Sequence, residues 1–493
     1  MHSIPWLEFT LFLPLFSALF VAGLGNTQRR TVACQIVTCL TFVFATICWF
    51  ESYCGGPLLT VAWPANWTEI MLRSPFQIDE LAAPLVPAVA LFHFMTALAT
   101  TRTKIARFPF SSILISESIC LMTFASRDWS LLIGLLVAAI IPPALDLLQR
   151  GKPARVYVVY QGAYVTLLLA AWAVHEFYPL ASPYAWSIPL LIAIMIRSGL
   201  FPFHCWLTDL FEQASMGMAL TAVVPVTGAV AAVRLLLPSA PDAVLSWLAG
   251  FALATAIYTA GLALVQREVR RFFTYLFLSY SSLILAGIDL HTPLSMTGSF
   301  CVWFSVIFSL GGLGLTIRSL EARYGRQSLV GFHGLYENSP ILAAFFVLTG
   351  LASVGFPGTV GFVSGELLVD GALEAGRSIA FLVVAAAAIN GIAIIRAYLI
   401  LFTGTRNQSQ LPLRVKGRER VAVLTLSALI MGGGLFPQPG VMSRFRAAEQ
   451  ILGERRNSPL QNLEPFAMQR EQADAKRASL PPATFATDRV SEP

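Results

Sequence analysis

The chain has 493 residues; 56% are apolar, only 12% are charged, and the formal net charge is +6. Soluble proteins carry about 25% charged residues, so a chain this apolar could not cover a water-facing surface and reads as an integral membrane protein with many spans. The basic excess suggests nucleic-acid binding less than it suggests charged loops at one membrane face.

A span needs about 20 mostly apolar residues. Apolar runs lie near 5–24, 31–50, 81–100, 110–126, 129–149, 156–176, 185–203, 217–237, 243–265, 272–288, 295–317, 339–365, 379–402 and 421–436, which makes fourteen predicted spans. The first, in MHSIPWLEFTLFLPLFSALFVAGLG, has no basic leader and no small-residue cleavage site, and is read as a retained span. Between the second and third runs, segment 51–78 combines Gly55-Gly56, Pro57 and alternating apolar residues, so a short hairpin on the outer face is expected. Cys34, Cys39, Cys120 and Cys301 sit inside apolar runs and no C-x-x-C pair occurs, so neither a disulfide framework nor a metal site is indicated.

Loops after odd-numbered runs hold 19 Lys and Arg residues, and loops after even-numbered runs hold only Arg73, Arg127 and Arg377. By the positive-inside rule the odd loops face the cytoplasm and both termini face outward. The basic stretch SRFRAAEQILGERRNSP stands against that pattern. Residues 437–493 are expected to be a polar, disordered tail, most clearly from 457 onward.

Two runs carry strong breakers: SGLFPFHCW (198–206), with Pro202, and VGFPGTVGFVSGE (354–366), with Gly355, Pro357 and Gly358. Broken backbone at membrane depth is tolerated where it lines a cavity or a protein interface. The two runs are five spans apart and therefore antiparallel, which points to inverted five-helix repeats, spans 4–8 and 9–13. The expected division is an N-terminal three-helix segment 1–109, a first repeat 110–237, a second repeat 243–402, a cytoplasmic loop and last span 403–436, and the tail. Intramembrane charge costs about 2.5–3.5 kcal/mol on insertion scales and marks ion paths. Arg197, Glu366 and Glu117 are the candidates in or beside spans, with His204 and Asp209 at the cytoplasmic side of the first break. Arg197 stays protonated and cannot itself pass protons readily. Arg234, one turn from Pro238, is expected to snorkel outward. Asp146 is expected to pair with the Arg150 loop.

FPFHCWLTDLFEQAS resembles the PFHxWLPDAHxxAP segment of the antiporter-like subunits of respiratory complex I. That family also contains subunits of Mrp-type sodium/proton antiporters, of membrane-bound hydrogenases and of the two-part inorganic carbon transporter. FQIDELAAPLVPAVALF, ALVQREVRRFFTY, PILAAFFVLTGLASVGFPGTVGFVSGELL and IIRAYLILFTG resemble further segments of it, and the likeness covers roughly residues 5–436. The resemblance implies an all-α polytopic fold and proton or ion passage along a row of buried charges. It aligns the family's seventh-helix lysine with Arg197. The fifth-helix glutamate falls near Val137 or Ala138, the eighth-helix lysine near Val226, and the twelfth-helix charge on Gly365 or Glu366. The eleventh run, SFCVWFSVIFSLGGLGL, has neither His nor Lys.

The first expectation is therefore a proton-conducting or ion-translocating subunit of a complex I-like assembly in the cell inner membrane. It would have other membrane subunits as partners, no cofactor or metal of its own, and any NADH-quinone redox chemistry left to those partners. The alternatives are the membrane half of a proton-gradient-driven CO2/bicarbonate transporter with a large cytoplasmic zinc protein, and a structural subunit that has lost transport.

Overall fold

In a computed structural model the described residues are 2–3, 5–54, 60–61, 75–100, 108–290, 292–404 and 417–457. The fold is a helical bundle. Among the described residues nine helices are long and apolar enough to cross a membrane, and four shorter apolar helices, Ala82–Leu98, Phe110–Ala125, Pro183–Ser198 and Pro340–Val354, stand among them. The only strands among these residues are His2–Ser3 and Thr60–Val61, paired antiparallel with each other. The rest of the expected 51–78 hairpin lies mostly outside the described residues, except that the Thr27–Cys54 helix runs on to Cys54.

Burial separates the helices into two sets. In an 18-residue apolar stretch of Met216–Leu236, Val269–Ile288 and Pro293–Tyr324, 94%, 89% and 89% of the residues are buried, against 28% in each of Trp6–Gly23 and Arg155–Phe177. The first set forms the centre and the second the rim. Rim side chains such as Phe16, Leu19, Phe20, Val159 and Phe381 are exposed large apolar groups, the outward face that lipid solvates and water does not.

Small residues set the closest helix contacts. The Pro293–Ser305 helix crosses Val360–Ala375 where Gly298 lies against the backbone of Leu367 and Leu368, and Gly371 against the backbone of Ser295. Lipid tails are as apolar as leucine, so association in a membrane relies on such close packing. Interior threonines return their hydroxyls to the carbonyl four residues back, as Thr96 does to Phe92 and Thr349 to Phe345, which satisfies a polar group inside a helix without a partner helix.

Both expected breaks are present. Pro183–Ser198 ends at Gly199, with φ 68°, and the chain resumes as Cys205–Gln213. Pro340–Val354 ends at Gly355, with φ 99°, and resumes as Val360–Ala375. Freed backbone groups find local partners: Trp206 Nε1 donates to the Ile196 carbonyl at 2.7 Å, and the Phe201 amide donates to Thr255 Oγ1 at 3.0 Å. At the second break a Cβ on Gly361 would lie 1.7 Å from the Ala352 carbonyl oxygen, so only glycine lets the two half-helices pass this closely.

The tail expectation is corrected for residues 438–456. Gln438–Arg456 is a helix, bent by 79° from the preceding Gly417–Leu435 helix. Its composition is polar, and Arg446 and Arg456 are exposed, but Arg444 and Arg455 are buried. Arg444 donates to the carbonyls of Leu81 and Glu80 at 3.0 and 2.7 Å and lies over the Phe304 ring, and Arg455 donates to the carbonyls of Leu237 and Ala240 and pairs with Asp242. These bonds account for Arg444 and Arg455, two of the four arginines that opposed the charge pattern. Residues 458–493 lie outside the described set.

Candidate functional site

The Arg197 side chain is in the last turn of Pro183–Ser198, immediately before the first break, and is 8% exposed. Its Nε and Nη2 donate to Thr227 Oγ1 at 3.2 and 2.9 Å. Thr227 opens a helical turn that follows a second interruption, at Pro225 and Val226, where Val226 takes φ 54°. The Pro225 carbonyl released there accepts from Trp303 Nε1 at 2.9 Å. Arg197 therefore joins two interrupted helices at their broken ends. Gly228 makes room beside it, since a Cβ there would lie 2.1 Å from Ser198 Oγ. A cavity of about 20 Å³, lined in part by Arg197, Ser198, Val226, Thr227, Phe277 and Ser281, opens at this point, and it is large enough for about one water.

The other candidates are dispersed. Glu117, on Phe110–Ala125, is fully buried and neither carboxylate oxygen has a hydrogen-bond partner among the described residues. His204 is buried just after the break, its ring among those of Phe201, Tyr258 and Tyr275, with Nδ1 unbonded. Asp209 is partly buried and its Oδ2 is without a partner. Glu366 is exposed on Val360–Ala375 and does not enter the interior that holds Arg197. Asp146 pairs with Arg150 at 3.0 Å and accepts from the Ser215 amide at 2.7 Å. Arg234 does not snorkel. It forms a two-pronged pair with Asp79, at 2.8 and 3.1 Å, and donates to the Phe124 carbonyl.

Sequence reasoning missed three features here. The Val226 interruption has a signal, Pro225 within an apolar run, because proline removes a helical hydrogen bond. The π-helical segments Ala232–Leu236 and Val306–Leu310 have none. Nor do the buried Tyr280 and Asn390.

A family model described as NADH:quinone oxidoreductase/Mrp antiporter, TM, matches residues 178–390, a span that contains both glycine–proline breaks and Arg197. The NADH-quinone oxidoreductase subunit M of Rickettsia prowazekii (strain Madrid E) is 22% identical over 474 residues, covering 89% of this chain and 96% of that one. The chain is similar to the membrane subunits of that family. A chain of respiratory complex I from Thermus thermophilus superposes with a TM-score of 0.77 at 24% identity, covering 91% of this chain and 99% of that one. A chain of the Mrp complex from Dietzia sp. DQ12-45-1b does so with 0.73 at 16% identity, covering 91% and 98%. Within this antiporter-like fold the chain is divergent. The eleventh run buries Ser299, Ser305 and Ser309.

Proposed function

We propose that the chain is a proton-conducting or ion-translocating membrane subunit of a multisubunit complex, with other membrane subunits as partners. In this reading fourteen spans cross the inner membrane, spans 4–8 and 9–13 are inverted repeats, odd loops face the cytoplasm and both termini face outward. The observation that carries it is Arg197: a buried guanidinium held by Thr227 where two helices are interrupted, beside space for water. A structural anchor has no use for a charge at that depth, given its insertion cost of about 2.5–3.5 kcal/mol.

The roles follow from the chemistry. Arg197 holds a fixed positive field and orients Thr227. Glu117 is the carboxylate that can load and release a proton when water reaches its unmatched oxygens. His204 and Asp209 flank the cytoplasmic mouth, and exposed Glu366 faces a neighbouring subunit. Redox chemistry belongs to the partners.

Proton flux into vesicles containing the full chain tests this reading. Glu117→Gln and Arg197→Ala each lower the flux at least about tenfold, the effect of roughly 1.4 kcal/mol on a transfer barrier. If both variants match the parent, the chain is a structural subunit. Co-purification of a large cytoplasmic zinc protein, with bicarbonate uptake in place of complex I-type subunits, would instead select the inorganic carbon transporter.

A further inference from the structure

A cleft far larger than the water-sized space at Arg197 stands apart from the proposed path. Its volume is about 760 Å³, within the range of roughly 300–1,000 Å³ that ligand sites occupy. It opens where Thr27–Cys54 ends and where Ala82–Leu98, Pro293–Ser305 and Gln438–Arg456 begin. Val360–Ala375 supplies the wall that runs inward. Gly371 packs on Ser295 beside the helix ends, and Val363 lies about 12 Å further down the same helix at roughly 1.5 Å a residue. The cleft therefore reaches from the helix ends to the first turn after the second break.

The lining is amphiphilic. Trp49, Leu294, Val363, Leu367 and Phe445 give it apolar surface, and Glu80 and Arg446 are its charged residues. Both are exposed, and neither side chain makes a hydrogen bond or ion pair among the described residues. Arg444, on the opposite side of the helix from Arg446, donates to the Glu80 and Leu81 carbonyls at 2.7 and 3.0 Å. That clamp fixes the helix carrying Arg446 to the segment carrying Glu80, so a cation and an anion stand on two walls of one apolar cleft. Trp49 and Tyr53, in the last turns of Thr27–Cys54, are 39% and 77% exposed, the placement of aromatic groups at headgroup level.

We propose that this cleft holds one phospholipid with a phosphoethanolamine headgroup, its phosphate on Arg446, its ammonium on Glu80 and its acyl chains along Leu294, Val363 and Leu367. A guanidinium matches phosphate oxygens bidentately, and a carboxylate accepts hydrogen bonds from a primary ammonium. A water-soluble zwitterion would meet the two charges and leave the apolar walls in contact with water. A phosphoglycerol headgroup would set its negative charge near Glu80 with no ammonium between them, and a choline headgroup has no N–H to give the carboxylate. The seated lipid packs against the half-helix that follows the second break.

The inference needs lipid around the chain but no ion flux, so it stands or falls apart from the proposed function. Native mass spectrometry of the full chain, in detergent with equal amounts of dioleoyl phosphatidylethanolamine, phosphatidylglycerol and phosphatidylcholine, reads the occupant. The ethanolamine lipid is expected to be retained about fivefold over each of the others, the order of one well-placed charge at a lipid surface. Arg446→Ala lowers retention of all three lipids, and Glu80→Gln removes the preference over phosphatidylglycerol. Leu294→Trp, which fills the groove and keeps both charges, lowers retention as well. Equal retention of the three lipids by the parent, or an unchanged preference in Glu80→Gln, means loosely surrounding lipid only and overturns the inference. In cell membranes, a p-benzoylphenylalanine replacing Met442, which also lines the cleft, should crosslink to phospholipid. Crosslinks to protein alone, whether a neighbouring subunit or this chain's own 62–74, overturn it too. A chain that shows the lipid preference and no proton flux overturns the proposed function alone.

Discussion

Replacing Asp79 by alanine is expected to destabilise the folded chain by about 3–5 kcal/mol, the range for breaking a buried pair by removing one partner. Asp79 and Arg234 are 10% and 9% exposed at their side chains, and both carboxylate oxygens are engaged by the guanidinium. Without Asp79 the charge at Arg234 keeps only the Phe124 carbonyl. The Ala82 amide loses its Asp79 Oδ1 acceptor as well, at the start of the Ala82–Leu98 helix. The double variant Asp79→Leu/Arg234→Met is expected to lie near the parent, because two apolar groups can replace a buried ion pair at little cost. Denaturant unfolding of the parent, Asp79→Leu, Arg234→Met and the double variant gives the coupling directly. Additive single effects would show that the two groups do not act as a pair.

The same pair sets an acid limit. Asp79 lies in the loop before its helix; burial there pushes its carboxyl up, but the charge and hydrogen bonds of Arg234 and the Ala82 amide together hold it below its ordinary value of 3.8. A carboxylate depressed in the folded state contributes stability above its unfolded value and loses it as pH falls through the folded one. Parent stability should therefore drop below about pH 4 by an increment that the double variant lacks. An identical acid profile in both would place the acid sensitivity elsewhere.

How far these features could be read in advance depends on whether the physics is local. Helix positions follow from unbroken apolar length, a property of the segment itself, so the apolar runs fall on helices or on helices interrupted into two or three segments. The breaks at Gly199–Pro202 and Gly355–Gly358 were legible for the same reason, since glycine and proline act on their own backbone. Facing is not local. Depth along the chain singles out Arg197 and Glu366 alike, yet one is buried against Thr227 and the other is exposed. Arg234 was misjudged because its partner lies 155 residues away, and the arginines of Gln438–Arg456 because the carbonyls they reach are more than 200 residues away. Tyr280 and Asn390 come from two different helices, and no spacing rule connects them.

The helix crossing that places the second break gives the other large effect. A Cβ on Gly371 would lie 2.2 Å from the Ser295 backbone nitrogen and 2.3 Å from its Cα, and one on Gly298 would lie 2.5 Å from the Leu368 nitrogen. These neighbours are backbone, which cannot rotate aside as a side chain can, so even alanine must push Pro293–Ser305 and Val360–Ala375 apart. Gly371→Ala and Gly298→Ala are each expected to cost about 1–3 kcal/mol, and leucine at either position more. Gly365 is the control on the same helix, because a Cβ there meets nothing within 4 Å. Gly365→Ala should be neutral or gain up to about 1 kcal/mol from helix propensity. Unfolding in detergent ranks the three. Equal stability of Gly365→Ala and Gly371→Ala would mean that the close crossing does not hold the two helices.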